Sequence, residues 1–343
     1  MANIGNVKVY SNKVPEDISK DIPKIGTHNG HFHCDEVLAT SLLTLIKPYN
    51  NGVILRSRNP DIWNQCDVLV DVGAVYDPSQ HRYDHHQNTF QENIGMGFTT
   101  RLSSAGLVYK HFGKQILKEA CGVEEKHLEF VYKYLYKNFF EHIDAIDNGI
   151  NVADGDLKYK ITTTLSSRVG YFNPSWNTPS SEVDESERFT QAMQLTRSEF
   201  LETVNYLLKV LIPARSIVED AISKRFDVHK SGRVIHLSQQ CPWKTHLYDL
   251  ERELKIEGQI LFVLYGDLNG NYRIQCVSKE SSGFENRLSI VKNWWGIRGE
   301  DLDKLVGGNG AIFVHASGFI GGHKTFEGVM SMADQSLSAM SDD

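Results

Sequence analysis

The sequence has few of the features that mark exported or membrane-embedded proteins. Its five cysteines are odd in number and form no Cys-x-x-Cys pair, a pattern typical of reduced thiols inside cells. No apolar run is long enough to span a bilayer. The first residues, MANIGNVKVYSNKVPEDISK, have neither the apolar core of a secretory signal nor the acid-poor character of a transit peptide. We therefore expect an intracellular globular protein with no membrane partner.

Positive charge is also scarce. The formal net charge of -7 disfavours binding along a long polyanion, because contacts with many phosphates require a basic track. An anionic substrate would have to be met locally, by metal ions or by a few arginines and lysines. The chain also lacks a His-Glu-x-x-His helix, which disfavours a single-zinc hydrolase acting on amides.

The hydrophobic pattern predicts an α/β protein of two domains. A chain of 343 residues, 41% of them hydrophobic, is longer than a single core usually becomes. Apolar and β-branched runs predict strands at 24–27, 53–58 and 67–73, and helical periodicity predicts helices from about residue 35, at 103–120 and at 124–147. We expect a mostly parallel sheet flanked by helices over residues 20–184, with a linker rich in Pro, Ser and acidic residues at 170–187.

Residues 185–343 are expected to form a smaller α/β domain. A helical stretch at about 185–226 contains Pro213 as a break or kink, and the segments GRVIHLS, QILFVLYG, YRIQCVS and AIFVHASGF are typical of strands. The segment GGHKTFEGVMSMADQSL (321–337) predicts a glycine-rich turn that leads into a C-terminal helix.

Histidines and aspartates recur where loops leave the predicted strands and at the end of one helix. They are His28, His33, Asp35, Asp71, Asp84, His85, His86, Asp144 and Asp147. Each alone has an ordinary structural explanation, such as a helix cap, a turn or a solvated helix face. Together they offer the mixed imidazole and carboxylate ligands that Mn²⁺, Fe²⁺ or Zn²⁺ requires, and they are too many for one ion.

Four motifs in this order resemble a known family. The Asp-His-His triplet of YDHHQ (83–87), with VLVDVG before it and IDAIDNG after it, resembles the DHH phosphoesterase superfamily. Within that superfamily, GTHNGHFHCDEVLA (26–39), YDHHQ and GGHKTFEGV (321–329) are similar to the Myg (melanocyte proliferating gene) exonuclease family, and the likeness covers nearly the whole chain. The first motif departs from the superfamily pattern, because His33 stands where an aspartate is common.

The resemblance implies a centre of two divalent metal ions, Mn²⁺ before Mg²⁺ or another ion. The implied ligands are His28, His33 and Asp71 for one ion, and Asp35, the bridging Asp71, His86 and Asp147 for the other. His85 would face the scissile phosphate as a catalytic residue, with Asp84 orienting a neighbouring histidine. Asp147 is favoured over Asp144 because it ends its helix, but the two share a helix face and the choice stays open.

A second group of residues is implied to bind substrate. Gly321, Gly322, His323 and Lys324 form a Gly-Gly-His motif similar to that of the DHHA1-like substrate domain of many DHH enzymes. Glycines before a helix allow backbone N–H groups to approach a phosphate. Without the resemblance, a tight turn with a surface histidine explains the motif equally well. Arg287 and Arg168 are further phosphate-binding candidates, and ordinary ion pairs would explain both of them as well.

The expected function is that of a metal-dependent phosphodiesterase. Two divalent ions about 4 Å apart activate a water near neutral pH and clamp phosphoryl oxygens. The resemblance implies a 3'-5' exonuclease acting on the ends of RNA or short single-stranded oligonucleotides, in the nucleus, mitochondrion or cytoplasm, with homodimerisation left open. Two alternatives remain. One is a small-molecule phosphatase acting on pyrophosphate, polyphosphate or a bisphosphorylated nucleotide, and the other is a non-catalytic metal-binding scaffold.

Overall fold

A computed structural model describes residues 7–178 and 181–339. The predicted linker at 170–187 and the predicted second domain, which ends at 343, therefore extend partly outside the described residues. Residues 171–178 are irregular, as the composition predicts, whereas residues 182–187 already belong to a helix. Among the described residues, no helix is both long and apolar enough to cross a membrane.

The chain divides into two compact units between Tyr206 and Leu207. The predicted boundary, between residues 184 and 185, lies instead near the start of the long helix Glu182–Tyr206. This helix belongs to the first unit because it packs against the helix Cys34–Leu43 and the strand Lys8–Ser11. The position of the boundary thus follows from packing, which the change in composition does not reveal.

The first unit is built on a six-stranded sheet. Its strands are β1 (Lys8–Ser11), β2 (Lys24–Thr27), β3 (Val53–Arg56), β4 (Val68–Val70), β5 (Tyr76–Asp77) and β6 (Arg82–Tyr83). The strand order is β1-β3-β2-β4-β6-β5, and the pairs are parallel except that β5 runs antiparallel to β6. The prediction of a mostly parallel sheet is confirmed, and β2 has the predicted bounds. Every residue of β2, β3 and β4 is buried, which explains why these strands have continuous apolar runs.

Helices flank this sheet. They are α1 (Cys34–Leu43), α2 (Pro60–Trp63), α3 (Ser104–Glu119), α4 (Glu125–Leu135), α5 (Glu141–Asp147), α6 (Leu165–Gly170) and α7 (Glu182–Tyr206). A π-helical turn, Tyr136–Phe140, joins α4 to α5, and short 3-10 turns lie at Tyr49–Asn51 and Pro78–Gln80. All residues of α1 are buried, and α1 packs against α3 and α7. The predicted helices at 103–120 and 124–147 are confirmed, the second with the π turn inside it.

The second unit is a smaller α/β body. A π-helical turn (Leu207–Leu211) precedes α8 (Ile212–Ser223), α9 (Arg225–Val228), α10 (Lys244–Leu254), α11 (Gly299–Val306) and α12 (Phe326–Ala339), and Lys292–Trp294 is a 3-10 turn. Its strands are β7 (Val234–Leu237), β8 (Phe262–Gly266), β9 (Tyr272–Cys276), β10 (Ser278–Lys279), β11 (Ser282–Asn286), β12 (Ala311–Val314) and β13 (Ile320–His323). Five of them form a sheet in the order β12-β13-β9-β8-β7. Pro213 stands in the first turn of α8, directly after the π-helical turn, so the α-helical pattern changes just before this residue while the chain stays helical.

The glycine-rich segment of this unit is a strand, so the prediction of a turn is wrong. Gly321 and Gly322 lie in β13, between β12 and β9. A Cβ atom on Gly321 would lie 3.0 Å from Met332 Cε, and one on Gly322 would lie 2.4 Å from Arg273 Nη1. Close packing, rather than a turn with positive φ, is therefore the setting of both glycines. The helix predicted after the segment is confirmed as α12.

The N-terminus of α3 is capped by a carboxylate from α5. Asp144 Oδ1 accepts hydrogen bonds from Ser103 N (2.9 Å), Ser103 Oγ (2.7 Å) and Gly106 N (3.1 Å), and Tyr136 Oη donates to Asp144 Oδ2 (3.1 Å). Burial raises the pKa of Asp144 to about 7, while these hydrogen bonds and the first turn of α3 favour its charged form. A Cβ atom on Gly106 would lie 2.4 Å from both carboxylate oxygens, so only glycine allows this approach.

We predict that Gly106→Ala destabilises the first unit by about 1 to 3 kcal/mol, because the new methyl group displaces the Asp144 carboxylate from its four donors. Urea unfolding at neutral pH measures the change. The matched control is Gly170→Ala, since a Cβ atom on Gly170, in α6, would meet no heavy atom within 4 Å. Equal stability of the two variants would contradict this account of the α3–α5 contact.

Candidate metal centre

Histidines and carboxylates from four segments meet at the carboxyl edge of the first sheet. His28 follows β2, Asp71 follows β4, His85 lies beyond β6, and Asp147 ends α5. His85 Nε2 lies 3.3 Å from Asp71 Oδ1 and 3.1 Å from Asp147 Oδ2. His28 Nε2 lies 3.3 Å from the other oxygen of Asp71. Asp71 is therefore the centre of the cluster, with one imidazole on each carboxylate oxygen.

Every predicted metal ligand belongs to this cluster. Four sets of residues each bring one ligand atom per residue within 4.8 Å of one another: His28, His33 and Glu36; Asp71, His85 and His86; His33, Asp35 and Asp147; Asp35, Glu36 and Asp71. Asp144 does not belong to these sets, because its carboxylate caps α3. The position of Asp147 supports its choice over Asp144.

The loop before α1 is held from several directions. The Glu36 carboxylate accepts hydrogen bonds from His33 N at 2.9 and 3.0 Å, which completes a cap on α1. Asn173 accepts from Phe32 N (2.9 Å) and donates to Phe32 O (2.8 Å). The buried guanidinium of Arg56 donates to Gly30 O at 2.6 Å. These contacts fix the backbone that carries His28 and His33.

Asp71 has a strained backbone. Its φ of 56° is in the left-handed region, and Ala74 has a φ of 54°, so two residues with side chains adopt this conformation in one turn. Asp71 N donates to Tyr83 O at 3.1 Å, and Ser104 Oγ donates to Asp71 Oδ1 at 3.2 Å. Strain of this kind is retained where the surroundings enforce it, often at functional sites. In this conformation the Asp71 carboxylate lies between His28 and His85.

The two adjacent histidines have different surroundings. His85 is buried, and its Nδ1 lies 3.3 Å from Asn148 Oδ1, which leaves Nε2 to face the carboxylates. The His86 side chain is 60% exposed, and its Nδ1 is 2.7 Å from Asp84 Oδ1. Asp84 is in turn buried and accepts from Ala74 N at 2.6 Å. Asp84 therefore orients His86, as predicted for one of the two histidines.

Asp35 is the least compensated charge of the cluster. Its side chain is buried, and neither carboxylate oxygen has a hydrogen-bond donor among the described residues. Burial raises the pKa of Asp35 well above its usual range, and the nearby carboxylates of Asp71 and Asp147 raise it further. A carboxylate in this setting requires a cation or a proton. The donor set, carboxylate oxygens with imidazole nitrogens, fits Mn²⁺, Fe²⁺ or Zn²⁺.

Two imidazoles partly compensate this negative charge. Burial lowers the pKa of His28, but hydrogen bonds to Asp71 and Glu36 outweigh it and raise the pKa to about 10. Burial also lowers the pKa of His85, but hydrogen bonds to Asp147 and Asp71 outweigh this effect and raise the pKa to about 10. The same contacts lower the pKa of Asp71, despite its burial. At neutral pH, without a metal, both histidines are therefore imidazolium ions.

Some site residues are missed by the sequence reasoning. Glu36 is fully buried, and its Oε1 lies 3.1 Å from His28 Nε2. The sequence feature that could have indicated Glu36 is its position three residues after His33. This spacing is also that of an ordinary helix cap, so it does not by itself point to a site residue. Asn148 and Ser104 contact His85 and Asp71, and Asn173 clamps Phe32 from a distant segment. Nothing in the local sequence indicates these long-range contacts.

The predicted substrate-binding residues lie outside the cluster. Arg287 donates to both oxygens of the buried Glu251 at 2.7 Å and to Ile260 O at 2.9 Å, so it holds the second unit together. Arg168 pairs with Glu199 on the surface of the first unit. His323 is buried, and its Nδ1 accepts from Thr325 N at 3.0 Å. The role of these residues in binding substrate stays a prediction. The contacts of Arg287 with Glu251 and Ile260 also give it a structural role within the second unit.

The fold and the cluster define an α/β protein with a candidate centre for divalent metal ions. Residues 24–337 match the family model MYG1_exonuc, which is described as an uncharacterised protein family. The chain belongs to this family, which confirms the family resemblance of the motifs.

Curated relatives share most of the chain's length. It is 48% identical to the MYG1 exonuclease of Rattus norvegicus over 325 residues, which cover 92% of this chain and 85% of the relative. The Homo sapiens MYG1 exonuclease is 47% identical over 328 residues, with 93% of this chain and 87% of the relative covered. An MYG1 protein of Saccharomyces cerevisiae is 40% identical over 329 residues, 93% and 97% of the two chains.

We predict that Asp35→Asn stabilises the metal-free protein by about 1 to 4 kcal/mol, because it removes a buried carboxyl group that must either be charged without a hydrogen-bond donor among the described residues or take up a proton above its usual pKa. The same change should abolish most of the stabilisation that Mn²⁺ gives, which for a bound ligand at 100 times its Kd is about 2.7 kcal/mol. Thermal unfolding with and without Mn²⁺ measures both effects. The exposed Asp156→Asn is the control and should change neither. A metal-free Asp35→Asn protein less stable than wild type would contradict this reading of the site.

We also predict that Mn²⁺ binding releases protons. His28 and His85, each with a pKa of about 10 in the metal-free protein, are charged at pH 7.5 and must lose their protons to bind a metal. Titration calorimetry in two buffers of different ionisation enthalpy should show release of at least two protons per chain, since the raised pKa of Asp35 adds to the release from the two histidines. The stability that these ion pairs contribute is complete below the usual histidine pKa of 6.5 and is lost as pH rises through about 10. Binding without proton release would show that the imidazoles are neutral or are not ligands.

Proposed function

We propose that the chain is a metal-dependent phosphodiesterase that removes nucleotides from the 3' end of RNA or of short single-stranded oligonucleotides. The observation that carries this proposal is the buried carboxylate of Asp35, which accepts no hydrogen bond within the described part of the chain and lies next to Asp71 and its two imidazoles. The relatives named MYG1 exonuclease support a nuclease function. The motif resemblance supports membership of the DHH superfamily, with a DHHA1-like second unit.

In this proposal the cluster holds two divalent ions, Mn²⁺ in the first place. His28, His33 and Asp71 would hold one ion, with Glu36 beside it, and Asp35, Asp71, His85 and Asp147 would hold the other. When bound, the two ions would supply an activated water and neutralise charge on the phosphoryl group. Asp71 is suited to bridge them because each of its oxygens already faces a different imidazole.

The geometry favours exchanging the roles predicted for His85 and His86. The buried His85 Nε2 faces Asp71 and Asp147, which is the position of a ligand. His86 is exposed, and Asp84 holds its Nδ1, so Nε2 is the nitrogen left to meet a substrate. The hydrogen bond to Asp84 raises the pKa of His86, which favours a charged imidazole that can donate a hydrogen bond or a proton to the phosphate or the leaving group.

The charge balance supports a substrate bound at its end. The net charge of -7 suits a terminal pocket better than a long groove for RNA. In the second unit, Lys324 is exposed and follows the buried His323, so it remains a candidate for phosphate binding. Gly321 and Gly322 are buried within a sheet and are better explained by packing.

A short RNA labelled at either end tests the proposal. With Mn²⁺, the 3'-labelled RNA should release a labelled mononucleotide at once, while the 5'-labelled RNA shortens stepwise, and Asp71→Asn should abolish both reactions. Pyrophosphate and a bisphosphorylated nucleotide are assayed in parallel. Turnover of these compounds without turnover of RNA would replace the proposal with a small-molecule phosphatase. No turnover of any substrate, with Mn²⁺ bound, would leave a metal-binding scaffold.

The roles of the two histidines are separated by His85→Gln and His86→Gln. We expect His85→Gln to weaken Mn²⁺ binding by at least about tenfold, because it removes a ligand. We expect His86→Gln to leave Mn²⁺ affinity near that of wild type and to lower kcat by about 10² to 10⁴, the usual contribution of a proton donor. Calorimetry and the RNA assay provide the two readouts. The opposite pattern would restore the assignment in which His86 binds the metal.

A further inference from the structure

Two clefts in the first unit share His33, Asp71 and His86 as lining residues. One has a volume of about 480 Å³ and the other of about 440 Å³, both in the range of sites for small organic ligands. The second is also lined by Arg58, Trp63 and Gly73, and we name it the Arg58 cleft. The space beside Gly73 is empty, because a Cβ atom built at this position would have Leu69, 4.0 Å away, as its nearest neighbour.

Arg58 supplies the only lysine or arginine side chain that lines either cleft. It is exposed and makes no ion pair or side-chain hydrogen bond with another described residue. Most other arginines of the first unit are already bound, as Arg56 is to Gly30 O and Arg168 is to Glu199. A free guanidinium beside a cluster of carboxylates is suited to an anion that bridges it to the metal centre.

The segment that carries Arg58 is braced on both sides. Ser57 N donates to Thr27 O at 2.8 Å and so extends the pairing of β2 with β3. Trp63 Nε1 donates to Ser57 O at 2.7 Å, which fixes the indole ring relative to the arginine. Asn59 caps α2 by accepting a hydrogen bond from Asp61 N at 2.9 Å. The arginine and the tryptophan are therefore presented together on a fixed turn.

We propose that the Arg58 cleft binds the terminal nucleotide of the substrate. Arg58 pairs with its phosphate, and Trp63 stacks on its base. This inference rests on the proposed function and specifies its substrate class, because an aromatic platform gains nothing from pyrophosphate or polyphosphate. Stacking on a tryptophan tolerates any base, so the cleft accepts nucleotides without sequence preference. A charged and an aromatic contact at one site thus select a nucleotide over an inorganic phosphate.

The test measures binding of 5'-AMP and of inorganic phosphate to the Mn²⁺-loaded full chain by equilibrium dialysis, together with RNA turnover. We expect Arg58→Gln to weaken both probes by about tenfold or more, as for the loss of a charged hydrogen bond. We expect Trp63→Leu to weaken AMP by about tenfold and to spare phosphate, and Trp63→Phe to retain most of the AMP affinity. Lys114→Gln, which removes an exposed charge of α3 that lines neither cleft, is the control and should bind both probes like wild type.

Thermal unfolding shows which variants are folded, and Arg58→Gln keeps the inference falsifiable if Trp63→Leu does not fold. Unchanged AMP affinity in Arg58→Gln would overturn the inference, as would unchanged AMP affinity in a folded Trp63→Leu. So would a wild-type chain that cleaves RNA but binds neither probe, and in both cases the proposed hydrolase would stand. A chain that binds phosphate but not AMP, and that cleaves pyrophosphate rather than RNA, would instead overturn the proposed function and this inference with it.

Discussion

The site depends on a buried concentration of negative charge that the protein does not neutralise by itself. Two imidazoles contact Asp71, one on each oxygen, whereas neither oxygen of the neighbouring Asp35 accepts a hydrogen bond from the residues that the structure describes. A buried carboxylate without a partner is costly, and a protein retains one where a cation or a proton completes it. The metal-free state therefore contains protonated histidines, and the same contacts that charge them also shape a site for divalent ions.

The sheet makes this concentration of charge feasible. Parallel strands end at one edge, so residues after β2, β4 and β6 meet there although they are far apart in sequence. The arrangement requires a strained, left-handed backbone at Asp71. It also requires hydrogen bonds from Asn173 and Glu36 that hold the loop before α1 in place. Rigid support of this kind is what a metal site requires, because ligand geometry is lost if the supporting contacts are loose.

Much of the first unit could be predicted from local sequence, because its central strands are continuous apolar runs and its candidate metal ligands come in dense motifs. Asp147 could be preferred over Asp144 but not separated from it, since only the tertiary contact with Ser103 and Gly106 shows that Asp144 is a cap. The same limit applies to His85 and His86, for which we propose exchanged roles: adjacent residues share one motif, and only their burial and contacts in the structure distinguish them. The turn predicted for Gly321 and Gly322 is wrong because glycine also serves close packing between strands.

The central claim is that one compact site holds two divalent ions bridged by Asp71. Anomalous diffraction from crystals grown with Mn²⁺ tests it most directly, together with the Mn²⁺ content of the dissolved crystals. The account predicts two anomalous peaks per chain about 4 Å apart, with Asp71 between them and His85, not His86, bound to one. A single peak, or peaks that contact neither Asp71 nor Asp35, would contradict it.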